Sequence, residues 1–461
     1  MFDNSFFMLL DCYLMKKILY VLGIIVFLIL AYLVILDLYP KNAGRFPFFA
    51  LIFLGDLYLW NSVKAWIKAR KTFIRYFLRT IYWFPFSLIL LLVVFSMLFT
   101  ENDWNNAFKI YSFGFVFVVY ASKLLPILFL VFADVIRLFR YINNKAASVR
   151  KGHSDKFEGK KISRAKFLQD VGLISGGILF SGLITGMFKW AYDFKIKRQV
   201  LQLSHLPKSF DGLKIVQISD IHLGSWPSLH PLQDAVNLIN GLNPDLVFFT
   251  GDLVNYKTDE AFRFENILSK VKSKHGVFAT LGNHDYGDYT RWPSAEAKAQ
   301  NMTDLYDFYK RLGWRLLNNE NEIIQNGEDS LAVIGVENWG DFSRFPKYGD
   351  IKKASLGTEN VPIKLLLSHD PTHWEKIISK KYPDIDLTFA GHTHGFQFGI
   401  EIKNIKWSPA KYIYKHWAGI YESPDATKKP QFLYVNRGLG NIGYPGRIGI
   451  LPEITLFELT T

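Results

Sequence analysis

Cysteine is almost absent from this sequence of 461 residues, which contains only Cys12. A single thiol excludes an intrachain disulfide, so the cysteine content does not indicate the redox compartment. The length exceeds that of a typical single domain, and two or more structural units are therefore expected.

The second half of the chain lacks an excess of basic residues. Residues 1–198 contain 26 Lys and Arg against 11 Asp and Glu, whereas residues 199–461 contain 28 against 30. The net charge of +13 thus divides into +15 and −2. An enzyme that acts on nucleic acid is expected to carry its basic excess on the catalytic domain, where it neutralises phosphates. The charge distribution therefore predicts no nucleic-acid partner.

Long apolar runs fill the first part of the chain. Residues 18–36 form an uninterrupted apolar stretch of 19 residues, which as a helix matches the ~30 Å thickness of a bilayer core. Further runs of sufficient length cover residues 46–63, 81–99, 110–132 and 171–190. We predict a multi-pass integral membrane region of about five helices over residues 1–195, followed by a second domain over residues 196–461.

Two ionisable residues interrupt these apolar runs. Asp56 lies in the second run and Lys123 in the fourth. Charged side chains are costly in lipid and point by default into a helix bundle or towards a functional site. We expect Asp56 and Lys123 to pair with each other or with polar neighbours.

The distribution of basic residues predicts the orientation of the membrane region. Lysine and arginine collect before the first run, between the second and third runs, and over residues 137–166, whereas residues 100–107 carry only acidic charges. Short basic loops stay in the cytoplasm. With five spans, this pattern predicts that the second domain lies outside the cytoplasm.

The second domain contains short buried-strand patterns that end in polar residues. Amphipathic helical stretches separate the early strands, which is typical of an α/β fold. Open α/β sheets bind ligands at the carboxyl ends of their strands. The polar residues at these ends are Asp220, His222, Asp252, Asn283, His284, Asp285, His369, His392 and His394.

These strand ends supply carboxylate, imidazole and amide oxygen together. Such a mixed set suits divalent manganese, iron or zinc. The residue types at these strand ends therefore predict a site for divalent metal ions.

The ordered blocks Asp220-x-His222, Gly251-Asp252, Gly282-Asn283-His284-Asp285, His369 and Gly391-His392-x-His394 resemble those of the calcineurin-like metallophosphoesterases. The later segment around Arg437 and Arg447 resembles the membrane-linked subgroup of that family. The resemblance implies a four-layer fold in which two packed mixed β-sheets are flanked by helices. It also implies one metal on Asp220, His222 and His394, a second on Asn283, His369 and His392, and Asp252 between them. One departure is Asn255, where many relatives carry Asp.

The same resemblance places His284 next to a bound phosphate. His284 is expected to protonate the leaving oxygen or to stabilise developing charge. Asp285 is expected to orient the imidazole ring of His284.

Three functions remain open at this point. The first is a phosphodiesterase or pyrophosphatase that acts on a phosphorylated, membrane-linked or cell-envelope substrate. The second is a pyrophosphatase of the UDP-2,3-diacylglucosamine type, whose substrate is cytoplasmic. The third is a non-catalytic membrane scaffold.

An insertion between His394 and Gly438 is rich in aromatic and basic residues. Two roles are equally compatible with this composition: contact with a lipid headgroup or membrane interface, and packing over a sheet edge. The residues concerned are Trp407, Tyr412, Tyr414, Trp417, Tyr421, Lys403, Lys406, Lys411 and Lys415.

Overall fold

The first part of the chain is helical. The computed structural model describes residues 4–98, 106–150, 164–402, 405–423 and 429–461. Most of the acidic segment 100–107, part of the basic segment 137–166, and Lys403 therefore lie outside the described residues. The helices of this part are α1 (Asn4–Leu38), α2 (Pro40–Ala43), α3 (Phe46–Lys68), α4 (Thr72–Leu98), α5 (Asn106–Arg150) and α6 (Arg164–Phe188).

Within the described residues, four stretches of helix are long and apolar enough to cross a membrane: Phe46–Lys68, Thr72–Ser96, Asn106–Asn143 and Phe167–Tyr192. They contain three of the four later apolar runs of the sequence and most of the other, residues 81–99. The first run is helical as well, within α1, but its apolar part there is the shorter segment Leu22–Asp37. The count of five spans stays a prediction.

Asp56 and Lys123 form an ion pair between α3 and α5, as expected. The ammonium of Lys123 lies 2.6 Å from the Asp56 carboxylate. The hydroxyl of Tyr120 donates to the other carboxylate oxygen at 2.7 Å. The charge of Asp56 is thus satisfied by a cation and a hydroxyl, as a buried carboxylate requires.

The described residues divide into two compact units. One comprises Met1–Phe95 and Val119–Phe180, and the other comprises Ser96–Val118 and Ser181–Thr461. The second unit thus includes the first part of α5 and the last part of α6. The predicted domain boundary after residue 195 stays a prediction.

Two six-stranded sheets form the α/β part of the second unit. The first has the strand order β1-β14-β2-β3-β4-β5, and the second has the order β12-β13-β9-β8-β7-β6. The first sheet consists of β1 (Lys195–Gln202), β2 (Leu213–Ile218), β3 (Leu246–Phe249), β4 (Val277–Ala279), β5 (Arg315–Leu316) and β14 (Glu453–Thr460). The second consists of β6 (Glu320–Asn326), β7 (Asp329–Gly335), β8 (Ile363–Leu367), β9 (Leu387–Ala390), β12 (Gly419–Glu422) and β13 (Phe432–Val435).

The remaining elements are helices and one hairpin. The helices are α7 (His230–Gly241), α8 (Asp259–Phe262), α9 (Glu265–Leu268), α10 (Ala295–Leu312), α11 (Ile351–Ala354), α12 (Pro371–His373) and α13 (Ser379–Lys381). Strands β10 (Ile400–Ile402) and β11 (Ile405–Trp407) form a separate antiparallel pair.

The two sheets pack face to face through a shared apolar core. Phe248 of β3 contacts Phe389 of β9 edge to face, with ring centroids 4.9 Å apart. Each fully buried side chain of this size contributes about 1.5–3 kcal/mol. Separate clusters cover the outer faces, with α7, α9 and α10 on the first sheet and α11 on the second. This arrangement confirms the predicted four layers.

Parallel pairing brings the carboxyl ends of the central strands together. Strand β2 runs parallel to β3, and β3 to β4, while β8 runs parallel to β9. Hydrogen bonds join the segments beyond these ends across the two sheets, for example from the amide of Leu439 to the carbonyl of Ser219 at 2.9 Å. The polar residues that follow the strands therefore meet at one edge of the sheet pair.

Candidate metal centre

The residues predicted from the strand ends form two clusters. The first contains Asp220, His222 and His394, and the second contains Asp252, His369 and His392. Within each cluster, one ligand atom from every residue lies within 4.8 Å of the others. The structure thus brings together six of the seven candidate ligands, and it groups Asp252 with His369 and His392.

In the first cluster, imidazole nitrogens face each other and a carboxylate. Nε2 of His394 lies 3.3 Å from Oδ1 of Asp220 and 3.0 Å from Nε2 of His222. All three side chains are almost fully buried. Burial lowers the pKa of His222 well below its ordinary value, so this imidazole is neutral and has a lone pair for a cation.

In the second cluster, the Asp252 carboxylate is central. Its Oδ2 atom lies 3.2 Å from Nε2 of His369 and 3.5 Å from Nε2 of His222, which belongs to the first cluster. Nδ1 of His369 lies 2.7 Å from the carbonyl oxygen of Thr250. A proton on Nδ1 satisfies that carbonyl and leaves Nε2 facing Asp252. Burial alone would lower the pKa of His369, but the Asp252 carboxylate raises it to about 10.

Asn283 supplies the seventh candidate ligand. Its side-chain amide donates to the Tyr289 hydroxyl at 2.9 Å. Its Oδ1 atom is buried and has no hydrogen-bond partner within the described part of the chain. Buried polar atoms are normally paired, and an unpaired amide oxygen beside two carboxylate–imidazole clusters fits a hard or borderline divalent cation.

The backbone around the clusters is held in a strained conformation. Five candidate ligands have left-handed φ angles between 49° and 72°: Asp220, His222, Asp252, His392 and His394. Such angles are unfavourable for residues with a side chain and are retained at functional sites when surrounding contacts enforce them. The absence of a side chain at Gly391 lets the backbone there pack closely against Ser219 and Asp220. A Cβ atom at this position would lie 1.9 Å from Oγ of Ser219 and 2.3 Å from Oδ2 of Asp220.

The structure places His284 and Asp285 differently from each other. His284 is partly exposed, and its Nδ1 lies 2.8 Å from the carbonyl oxygen of Asn255. Asp285 is buried and accepts backbone hydrogen bonds from Asp252, Leu253 and Gly282 at 2.8–2.9 Å. The expectation that Asp285 orients the ring of His284 is therefore wrong. Its carboxylate instead ties the loop after β3 to the loop after β4, because unpaired amides there would be costly.

Arg447 supports the site in a way that the sequence did not reveal. Its guanidinium is fully buried and donates to the carbonyl oxygens of Arg437 and Gly438 at 2.9 and 3.1 Å. Nη2 also lies 3.5 Å from Nδ1 of His394. Burial lowers the pKa of Arg447 to about 9. The only signal in the sequence was its place in the subgroup motif, which assigns no contact.

A cavity of about 370 Å³ opens onto both clusters. Besides His222, Asp252, Asn283, His392 and His394, its lining includes His284, which is thereby placed at the site. Arg344, whose guanidinium places a positive charge at the cavity, was not predicted from the sequence. The remaining lining includes Tyr289, Arg344, Phe396, Ile413, Tyr414 and Tyr444.

Both halves of the chain match family models. Residues 213–396 match the model described as "Calcineurin-like phosphoesterase". Residues 41–190 match the model described as "Probable Calcineurin-like phosphoesterase, transmembrane domain". The transmembrane region 41–190 begins after α1 and contains α3 to α6.

Curated relatives match the chain over between about half and most of its length. A "Transmembrane protein with metallophosphoesterase domain" of Danio rerio is 28% identical over 419 residues, which cover 88% of this chain and 86% of that protein. The "Uncharacterized metallophosphoesterase YkuE" of Bacillus subtilis is 30% identical over 308 residues, which cover 65% of this chain and 98% of that protein. The "UDP-2,3-diacylglucosamine pyrophosphatase LpxG" of Chlamydia muridarum is 29% identical over 297 residues, which cover 54% of this chain and 87% of that protein.

We predict that Asp285→Asn weakens metal binding and hydrolysis by ~10–100-fold, because an amide nitrogen would replace an oxygen that accepts backbone N–H groups. Metal affinity by chelator competition and kcat/KM are the measurements. Asp245→Asn is the matched control, since that carboxylate accepts the Lys214 amide at 2.9 Å at the opposite ends of β2 and β3. Equal losses in the two variants would mean that Asp285 stabilises only the fold.

Proposed function

This chain belongs to the calcineurin-like metallophosphoesterase family, and from that premise we propose that it hydrolyses a phosphodiester or pyrophosphate bond of a membrane-linked or cell-envelope substrate. The observation that carries this proposal is the position of Asp252. Its carboxylate lies within 3.5 Å of imidazoles from both clusters, as a group shared by two cations must.

The proposed centre holds two divalent ions, manganese, iron or zinc. We assign Asp220, His222 and His394 to one ion and Asn283, His369 and His392 to the other, with Asp252 shared. The fit rests on the unpaired Oδ1 atom of Asn283 and on the neutral, buried imidazole of His222. When bound, two such ions lower the pKa of water and neutralise charge on the phosphate.

The chain's own groups then position and protonate the substrate. Arg344 lines the cavity and is suited to bind a phosphate oxygen through its guanidinium. His284 lines the same cavity, and its contact with the Asn255 carbonyl fixes the ring so that the other nitrogen is available to the substrate. We assign to His284 the transfer of a proton to the leaving oxygen.

Membrane orientation separates the leading proposal from its rival. The short loop between α3 and α4 and the end of α5 are basic, whereas residues 100–107 are acidic. Those charges favour a second unit outside the cytoplasm, and this inference holds with or without a span in α1. The similarity to LpxG supports instead a UDP-2,3-diacylglucosamine-type pyrophosphatase, which needs a cytoplasmic site.

The scaffold alternative is disfavoured by the cavity. Structural metal sites are closed by their ligands, whereas a cavity of about 370 Å³ reaches both clusters here. A site with room for a substrate supports catalysis.

We predict that Asp252→Ala abolishes both metal binding and hydrolysis of an aryl phosphodiester, because it removes the shared carboxylate. Metal content per chain and initial rates are the measurements. Asp350→Ala is the control, since that carboxylate caps α11, and it should leave both quantities unchanged. Two metals per purified Asp252→Ala chain would contradict the assignment.

We predict that His284→Ala lowers kcat/KM by ~10²–10⁴-fold on an alkyl ester, which leaves poorly without a proton. The loss should be much smaller on an aryl ester whose leaving phenol is acidic. The comparison uses both ester types with the wild-type protein and the variant at equal metal content. Equal losses on the two esters would assign His284 to charge stabilisation instead.

We predict that the C-terminus at Thr461 lies outside the cytoplasm. Alkaline phosphatase and a fluorescent protein are active on opposite sides of the membrane, so paired fusions after Thr461 measure this: the phosphatase fusion should be active and the fluorescent-protein fusion inactive. A cytoplasmic signal would reject the orientation and favour the UDP-lipid substrate.

A further inference from the structure

The segment from Phe396 to Ile402 has an inverted polarity pattern. Phe396, Phe398, Ile400 and Ile402 are 40–64% exposed, whereas the alternating Gln397 and Gly399 are buried and Glu401 is half-buried. In a strand with one face against water, the polar residues point outwards and the apolar residues point inwards. From this inversion we propose that the apolar face of the segment docks on the lipid surface of the membrane, at the mouth of the metal-centre cavity.

The strand register defines this apolar face. In the antiparallel pair β10–β11, Ile400 is opposite Trp407 and Ile402 is opposite Ile405. Residues opposite each other in such a pair share a face. The apolar face of this pair consists of Ile400, Ile402, Ile405 and Trp407, and the ring of Phe398 extends it, with its centroid 6.5 Å from that of Trp407. Phe396 is exposed in the turn before β10.

Polar contacts of the other face fix this orientation. The Gln397 side chain donates to the carbonyl oxygens of Tyr444 and Gly446 at 2.9 and 3.0 Å. The Glu401 carboxylate lies 3.2 Å from the Lys197 ammonium and 2.9 Å from the Arg437 guanidinium. Turning the hairpin over to bury its apolar residues would break these contacts. The outward position of the apolar face is therefore stabilised.

The base of the hairpin is bonded to a segment that contacts the last candidate span. The amide of Ile448 donates to Gln397, and the amide of Gly399 donates to Ile448, at 2.7 and 2.9 Å. The neighbouring Arg447 amide donates to the carbonyl oxygen of Gly186 at 3.3 Å. Gly186 lies within the candidate span Phe167–Tyr192. A bilayer around that helix therefore comes close to the apolar face.

Basic and aromatic side chains lie near this face, where Nε1 of Trp407 donates to the Tyr412 hydroxyl at 3.4 Å. Lys411, Tyr412, Ile413 and Lys415 are all exposed, and the Lys411 ammonium lies 5.2 Å from the centre of the Tyr412 ring. Lysine and tyrosine are the residues that proteins place at the level of lipid headgroups, where lysine attracts anionic lipid. This composition distinguishes a lipid surface from a purely apolar protein partner.

The position of the face has a consequence for the substrate. Phe396 and Ile413 line the metal-centre cavity as well as being exposed. If the proposed function holds, a phosphate group can reach the centre while the apolar part of its lipid stays in the bilayer. The substrate class is then a phosphodiester or pyrophosphate lipid taken from the membrane, without extraction into water.

The single cysteine of the chain permits a direct test in the full-length protein. In a Cys12→Ser background, Ile402→Cys and Ile405→Cys are labelled with an environment-sensitive fluorophore in nanodiscs of phosphatidylethanolamine and phosphatidylglycerol. Leu356→Cys is the matched control, because Leu356, Ile402 and Ile405 are each 64% exposed. The Leu356 carbonyl accepts a hydrogen bond from Asn321 of β6, at the far edge of the second sheet.

We expect nitroxide-labelled lipid to quench most of the emission at positions 402 and 405 and little of it at position 356. Emission that shifts to the blue without lipid quenching would overturn the proposal and indicate a protein interface, such as a second copy of this chain. Equal quenching at all three positions would overturn it too.

A second arm measures hydrolysis with Ile402→Glu and Ile405→Glu combined, and with Leu356→Glu as the control. Because charges are costly in lipid, the double variant should lower kcat/KM for a phosphodiester lipid embedded in nanodiscs by about tenfold or more. Its rate on a soluble aryl phosphodiester should change less than about twofold, since the site is untouched. Equal losses on the two substrates would overturn the link to the cavity. Absence of hydrolysis in the wild type would instead reject the proposed function, and the quenching result would stand independently.

Discussion

The concentration of carboxylates and imidazoles around Asp252 is the constraint on which the second unit depends. Asp252 lies within 3.5 Å of His222 and His369, and a third contact joins its Oδ1 to the backbone amide of His284 at 2.8 Å. Desolvated charges and neutral imidazoles have no intrinsic tendency to gather in a protein interior. The surrounding structure must hold them there, and such an arrangement is suited to divalent cations.

The two sheets meet this constraint through their backbones. Amides beyond one strand donate to carbonyls beyond the next, as from Asp220 to Gly251 and from Gly391 to His369, both at 2.9 Å. These bonds fix the left-handed turns at Asp220, Asp252 and His392, which would otherwise cost of order 1–3 kcal/mol each. The apolar core between the sheets offsets that cost. The packing of the core therefore stabilises the geometry of the candidate metal centre.

The α/β class and the polar strand ends could be predicted from local patterns, whereas the four layers and the grouping of the ligands came from the family resemblance. Continuous apolar strands indicate burial on both faces, and the residues directly after parallel strands must meet at one edge. The partner of Asp285 was missed for the opposite reason. Its carboxylate bonds to amides 32 and 33 residues earlier, and no local pattern specifies which loop a buried carboxylate will reach. Arg447 likewise acts through carbonyls that every residue carries, so its residue type alone could not identify its contacts.

The composition of the hairpin segment did not show which of its residues are exposed, whereas the structure does. Its aromatic and basic content fits a sheet-edge cover as well as a membrane contact, and Trp417 and Tyr414 are in fact buried. The alternation of Phe398, Ile400 and Ile402 with polar or small residues shows that the segment has one apolar and one polar face. Alternation alone does not show which of the two faces is buried. Which face is inside follows from the ion pairs of Glu401 with Lys197 and Arg437. On the proposed docking, the candidate metal centre would lie where phosphate groups are held at a lipid surface, and the hydrophobic effect would favour substrate capture.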